Sequence, residues 1–300
     1  MKNRYECVII GSGIAGMTAA IYLKRSNIDT LIIEQNMPGG QIINIPTIKN
    51  YPGFEKVDGA SLAISIQNQV NQLEVPYLYA KVTDIKLSEQ EKQIITTKGI
   101  ITCKYIILAS GRIPKKLNLL NADKLLGKGL SYCAICDGPL YKNKEVAVVG
   151  AGNSSIEESI YLSNICSKVI ILCRSNKIKA DKSLIDKIQK INNIEVRYNV
   201  EIEKINTQDE KINSIILSNS EEIFVSAIFV YIGLNPDITY LNNLNIKTDS
   251  NYIVVDNNMQ TSINNIYACG DVIKKDIYQL TTAAGEATIA AINISKKVRW

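Results

Sequence analysis

The chain has 300 residues, 46% hydrophobic and 21% charged, a balance that supports a large buried core and about two domains and excludes a disordered polymer. Its net charge of +5 is spread along the chain rather than gathered into a basic block with interleaved aromatics, which argues against nucleic-acid binding. No run approaches the roughly 20 apolar residues that cross a bilayer, and the absence of histidine leaves proton transfer to carboxylate, thiol, lysine or tyrosine.

In chain order, residues 5–10 read as a short buried strand that stops at Gly11, too early for an export signal. It runs straight into Gly11-Ser12-Gly13-Ile14-Ala15-Gly16, with a helix expected over residues 17–24. This strand-loop-helix context is what an isolated GxGxxG lacks. Gly11 permits the tight turn, Gly13 lets backbone approach a pyrophosphate, Gly16 lets helix and strand pack closely, and the helix N-terminus supplies amide donors. A second strand over 30–33 ends in Glu34, roughly 20 residues beyond the glycines, where a carboxylate takes the hydroxyl pair of an adenosine ribose. An unphosphorylated adenosine such as that of FAD or NAD fits.

Near the middle stand Cys133-Ala134-Ile135-Cys136-Asp137-Gly138. A CxxC pair alone is open between redox chemistry, half of a zinc site and plain core cysteines. A nucleotide loop on either side shifts the reading to a flavin wired to a disulfide. Two thiols at this spacing at the start of a helix close a small ring, and helix amides lower the pKa of the first, Cys133, so that it attacks as thiolate. Asp137 is the neighbouring carboxyl that can carry the proton, its alternative being a turn or cap carboxylate before Gly138. The other cysteines in apolar patterns, Cys7, Cys103, Cys166 and Cys269, read as small core residues, and a scattered odd set of seven points to a reducing, cytoplasmic setting.

The second unit repeats the first: a strand over 145–149, the loop Gly150-Ala151-Gly152-Asn153-Ser154-Ser155, a helix over 156–164, and a strand over 168–172 ending at Cys173-Arg174-Ser175. No acid stands there for a ribose diol. A positive group would suit a 2′-phosphate, and only Arg174 is adjacent, with Lys177 and Lys179 further on. Late in the chain a short strand leads into Gly270-Asp271-Val272, and 281–294 is an Ala-rich helix. If the first fold needs this late segment to finish its nucleotide site, the second fold is inserted in the first. The expected architecture is α/β: two doubly wound, Rossmann-like dinucleotide-binding domains, one split over 1–112 and 236–300, the other over 113–235. The crossings fall at Gly- and Pro-punctuated stretches near 111–114 and 233–236 that suit a paired hinge.

Taken together these pieces resemble the low-molecular-weight, bacterial-type thioredoxin reductases from end to end. The resemblance is carried by Gly11 to Gly16, Pro38-Gly39-Gly40-Gln41 with Asn50-Tyr51-Pro52-Gly53, the cysteine box with Asp137-Gly138, the second loop with Glu157-Glu158, and Gly270-Asp271-Val272 with Thr282-Ala283-Ala284-Gly285. It implies FAD in the split domain, a redox disulfide on the inserted one, thioredoxin or a similar protein as acceptor, and a homodimer that alternates between two interdomain orientations. In that implied FAD site, Gly11, Ser12, Gly13, Ala15 and Gly16 hold the pyrophosphate turn, and Glu34 and Gln35 the adenosine. Gly40 and Gln41 lie along the isoalloxazine, Asp271 bonds the ribityl or pyrophosphate region, and Asn50, Gly111, Gly270, Gln279, Leu280 and Thr281 complete the site. A second nucleotide site would use Gly150, Gly152, Asn153, Ser154 and Arg174, and no metal is implied. By the same resemblance Cys136 faces the flavin and Cys133 attacks the partner disulfide.

The chain departs from the family where NADPH-dependent members carry HRRxxxR: here the element reads Cys173-Arg174-Ser175 with Lys179 at its end, and arginine forks are not replaced by lysine point charges. The common small Ala that ends the second loop is Ser155, and the family's Arg-Gln reads Tyr278-Gln279. The expected donor is accordingly NADPH or reduced ferredoxin, with NADH behind both. Trp300 reads as a chain end rather than a cover for the flavin. Two other readings stand beside this one: a flavin dithiol oxidase of the same fold, and a non-enzymatic nucleotide-binding module whose CxxC is a zinc half-site.

Overall fold

The first strand, Arg4–Ile10, ends in four consecutive buried residues, the pattern of a strand covered on both faces. In the computed structural model, which describes residues 2–88 and 91–299, it lies inside a seven-stranded sheet. It pairs in parallel with Thr30–Glu34 on one side and Gly99–Leu108 on the other. Tyr77–Tyr79 extends the sheet in parallel beyond Thr30–Glu34. On the far side the long strand Gly99–Leu108 forks: its first half pairs antiparallel with Lys92–Thr96, which pairs with Val82–Leu87, while Ile106, Ile107 and Leu108 pair in parallel with Ile266–Ala268. The return of the late segment to this sheet is what splits the unit in sequence, as Met1–Ile113 and Asn235–Trp300.

Because side chains alternate along a strand, neighbours in Arg4–Ile10 enter different layers. Cys7 and Ile9 face helices α1 (Ile14–Arg25) and α2 (Gly59–Gln72) and the closing helix Leu280–Arg299, in a core with Met17, Leu23 and Leu62. Val8 and Ile10 face the opposite layer, which holds Tyr240, Leu241, Ile253 and Ile273. α1 starts at Ile14, three residues earlier than the apolar pattern indicates, because Gly13 is its N-cap and accepts the first helical bond from Met17 N–H at 3.0 Å. The closing helix runs past the expected end at 294 to Arg299, where Lys296, Lys297 and Arg299 lie in its last turn and favour the C-terminal end of the dipole. Trp300 lies outside the described residues.

The second unit, Pro114–Leu234, has a five-stranded parallel sheet in the order Ile194–Tyr198, Lys168–Cys173, Glu145–Val149, Ala227–Val230, Leu130–Ser131. α3 (Ala134–Asp137), α4 (Asn153–Ser163) and α5 (Lys182–Ile188) are on one face. The other face is covered by an antiparallel meander, Ile202–Gln208, Lys211–Leu217 and Glu222–Phe224, which brings Ile202, Ile215, Leu217 and Ile223 onto Ile170, Leu172 and Ile228. A strand layer stands where a doubly wound sheet usually carries helices. Its first strand buries residues without alternation and its pairing carries register shifts, so the segment does not announce itself by periodicity. The chain passes between units through Arg112–Pro114 and Leu234–Pro236, two short strands that pair with each other.

Candidate functional site

The first glycine loop is set by close backbone approaches. Gly11 has φ +99°, and a Cβ there would stand 2.4 Å from the carbonyl oxygen of Ala109; a Cβ on Gly16 would stand 1.9 Å from the carbonyl oxygen of Gly11. A Cβ built on Gly13 would meet nothing within 4 Å, so that side of its backbone is open to a ligand, and no side chain caps α1. The amides of this helix are left uncapped at the place where the sequence expects a pyrophosphate. Glu34 is organised before any ligand arrives: its Oε2 accepts from the Ser12 amide at 2.8 Å and the Ser12 hydroxyl at 2.9 Å, and its Oε1 accepts from Asn36 N–H at 2.8 Å. Oε1 keeps a further lone pair for a ribose hydroxyl, whereas both on Oε2 are taken by Ser12. Glu34 and Gln35 line a pocket with Gly11, and so do three residues that sequence reasoning missed, Lys81, Asp237 and Tyr240. Tyr240 donates to Ser110 Oγ at 2.9 Å, Ser110 donates to the Asp237 carbonyl at 2.7 Å, and Asp237 N–H donates to the Gly111 carbonyl at 3.1 Å.

Further along the same unit, Gly39 N–H donates to the Ser12 carbonyl at 2.8 Å, and Gly40 passes so near that a Cβ on it would be 3.3 Å from Gly13 Cα. Gln41 donates to the Arg112 carbonyl at 3.1 Å and Asn50 to Gln279 Oε1 at 3.1 Å. Gly270, at φ +77°, approaches Ala15, where a Cβ would be 2.9 Å away. Leu280 and Thr281 open the closing helix. Asp271, expected to bond the ribityl or pyrophosphate region, is paired with a cation: Arg112 donates to its Oδ2 from Nε at 3.1 Å and Nη2 at 2.5 Å. The same guanidinium lies 4.2 Å over the ring of Tyr278, and Lys275 bridges Asp271 and Glu286. Arg112 was not among the sequence candidates, although it directly follows Gly111 and faces the departure at Tyr278. Glycines open to a diphosphate, a carboxylate with a lone pair left on Oε1 and a loop brought against them form a set that fits FAD.

In the second unit, Gly150 has φ +135° and a Cβ there would be 2.3 Å from the Tyr231 carbonyl oxygen, while Gly152 is open and caps α4 with backbone alone. α4 begins at Asn153, earlier than the expected 156, for the same reason as α1. The side chain of Asn153 is committed to Asp181, donating to its carboxylate at 3.0 Å and accepting from its amide at 2.8 Å. Ser154 is exposed in the first turn of α4, and Ser155, buried, donates to the Gly152 carbonyl at 2.8 Å. Lys179 N–H closes onto the Ala151 carbonyl at 2.7 Å, and Arg174 is exposed with no ionic partner among the described residues.

Cys133 and Cys136 are joined in a disulfide with Cα atoms 5.3 Å apart. Cys133 caps α3, and Cys136 N–H donates to its Sγ at 3.2 Å. Ser131 organises the turn: its Oγ accepts from Cys133 N–H at 3.0 Å and donates to Asp137 Oδ2 at 2.6 Å. The carboxylate expected beside the sulfur pair is thus held there through a hydroxyl that the sequence did not flag. Tyr231, also unflagged, accepts from Ala134 N–H at 2.8 Å through its phenol oxygen.

Two dinucleotide loops in two α/β units, one of which carries a CxxC disulfide, define a nucleotide-dependent disulfide oxidoreductase. Residues 5–287 match the model of the pyridine nucleotide-disulphide oxidoreductases, and the chain belongs to this family, among its bacterial-type thioredoxin reductases. A thioredoxin reductase of Ureaplasma parvum is 39% identical over 294 residues, covering 96% of this chain and 95% of that protein. The crystal structure of Lactococcus lactis thioredoxin reductase matches with a TM-score of 0.90 at 37% identity, over 98% of this chain and 99% of that one. A ferredoxin-flavin thioredoxin reductase from Clostridium acetobutylicum matches at 29% identity with a TM-score of 0.56, over 99% and 98% of the two chains.

Proposed function

We infer that the chain is an FAD-dependent thioredoxin-disulfide reductase that works through Cys133 and Cys136. The observation that carries this reading is the closed disulfide at the cap of α3, with Asp137 held beside it by Ser131, in a chain whose relatives are named thioredoxin reductase. FAD, when bound, supplies the electron pair that opens the disulfide. Gly11 to Gly16 and the amides of α1 bind its diphosphate, Glu34 its adenosine hydroxyls, and Gly40, Gln41 and Asp271 its far end. Cys136 receives the electrons and Cys133 attacks the thioredoxin disulfide, since the amide of Cys136 already points at Cys133 Sγ and favours a thiolate there. Asp137 holds the proton that moves as thiol and thiolate interconvert.

A pyridine nucleotide at the second loop is the proposed electron source. Gly152 and the backbone-capped α4 are open to a diphosphate, and Arg174 is the cation left for a 2′-phosphate. An anaerobic titration that follows flavin bleaching tests it: NADPH bleaches the flavin ahead of NADH, whereas bleaching by reduced ferredoxin alone moves the source away from this loop. The working unit is proposed as a homodimer, supported by the exposed Ile289 and Ile292 on the closing helix and Tyr22 on α1. Sedimentation of the FAD-loaded protein at twice the 33.2 kDa chain mass is the expected result. Replacement of either Cys133 or Cys136 by Ser without loss of thioredoxin reduction would overturn the function itself.

A further inference from the structure

The α4 helix lies on the disulfide turn along one face. A Cβ built on Gly138 would meet Leu162 at 3.0 Å, Tyr161 at 3.5 Å and Ile165 at 3.9 Å. Glu158 is one helical turn before Leu162 on the same face. Its Oε2 is buried and has no hydrogen-bond partner, an arrangement that a charged carboxylate tolerates poorly and a protonated one readily. One acid and one phenol bear on the group: Glu157, adjacent on the same helix, adds negative potential and is itself partly offset by Lys187, and Tyr231 comes from the end of the strand Ala227–Val230. The Tyr231 ring feels both Glu158 and Asp137, while its oxygen is fixed by Ala134 N–H, the first amide of α3. One tyrosine therefore touches the disulfide turn, and two carboxyl groups flank it.

We propose that Glu158 is a protonation site linked to reduction of the Cys133–Cys136 disulfide, with Tyr231 as the positioning residue that ties the turn to it. This rests on the reading of that pair as the redox disulfide. When two electrons enter from the flavin, the Sγ–Sγ bond breaks, one sulfur takes a proton as thiol and the other remains a thiolate. A second proton, drawn like the first from the reduced flavin and water, goes to the Glu158 carboxylate and offsets the new negative charge. Burial and Glu157 raise Glu158 to about 7 in the disulfide form, so near neutral pH it is poised to accept. Asp137 transfers the proton at the sulfurs; Glu158 stores one behind them.

The test is an infrared difference spectrum of the FAD-loaded protein slightly above pH 7, before and after an excess of small dithiol, which gives up two electrons and two protons as it closes to its own disulfide. The expected result is a new protonated-carboxyl stretch on reduction that persists in Asp137→Asn and is lost in Glu158→Gln. Should Glu158→Gln not fold, the wild-type band and its persistence in Asp137→Asn decide the matter. Tyr231→Phe keeps the ring, removes the hydroxyl and is expected to move the pH midpoint of that band; an unmoved midpoint overturns the role of Tyr231. Full appearance of two thiols with no carboxyl band overturns this inference alone. A disulfide that the dithiol cannot open overturns the functional reading as well.

Discussion

The residue with the clearest single task is Glu34, whose two oxygens already hold the Ser12 amide, the Ser12 hydroxyl and the Asn36 amide. Glu34→Ala removes an acceptor of hydrogen bonds to a ribose and leaves the buried Ser12 hydroxyl unpaired. With charge-assisted bonds contributing about 1.5–3 kcal/mol, FAD affinity is expected to fall tens of fold or more, read by equilibrium dialysis. Cys133→Ser and Cys136→Ser keep the flavin and lose thioredoxin reduction by more than about 100-fold, measured by turnover with absorbance confirming the bound cofactor. Glu158 predicts an effect on stability with a definite sign. Its folded pKa, about 7, lies above the ordinary carboxylate value of 4.5, so the folded chain binds more protons than the unfolded one between those two pH values. Stability is lost as pH rises through that window. Glu158→Gln, which cannot ionise, is expected to raise the denaturation midpoint at pH 8 and leave it nearly unchanged at pH 4.5.

At the scale of elements, both glycine loops obey one rule, in which a strand ends, the backbone turns at positive φ and a helix starts with no side-chain cap. Gly16 is the tightest point: a methyl group there would lie 1.9 Å from the Gly11 carbonyl oxygen, so α1 must move off the sheet to admit it. Gly16→Ala is expected to cost about 1–3 kcal/mol, as overpacking does, together with the bound FAD, checked by chemical denaturation and flavin content. This geometry was legible in the sequence because glycine spacing and an apolar strand are local signals. The pairing of Arg112 with Asp271 was not, since 159 positions separate them and nothing near either residue announces the other. Tyr231 and Ser131 escaped for a different reason: their hydroxyls accept from backbone amides, which every residue has. The meander over 202–224 was missed because its first strand buries residues without alternation and its pairing is broken by register shifts.

For the whole molecule, a flavin wired to a disulfide could be read from the order of motifs, loop, CxxC, loop and late Gly-Asp, because that order fixes which segments must return to which sheet, whereas the acceptor class came from the family resemblance that those motifs carry. The electron source was less legible, since Arg174 stands without the arginines that a 2′-phosphate site ordinarily gathers. The described part of the chain has no helix long and apolar enough to cross a membrane. Cofactor and nucleotide elements occur in separate units, each with its own core.

The five cysteines outside the disulfide are all buried, and burial holds the Cys166 thiol up at about 11 and Cys103 at about 12. Buried in this way the five thiols are not reachable, so they are silent toward alkylating agents. The native protein should therefore take up no iodoacetamide as isolated and two labels per chain after mild reduction, counted by intact mass. Covalent probes and electrophilic inhibitors would thus report on a single vicinal dithiol against a blank background.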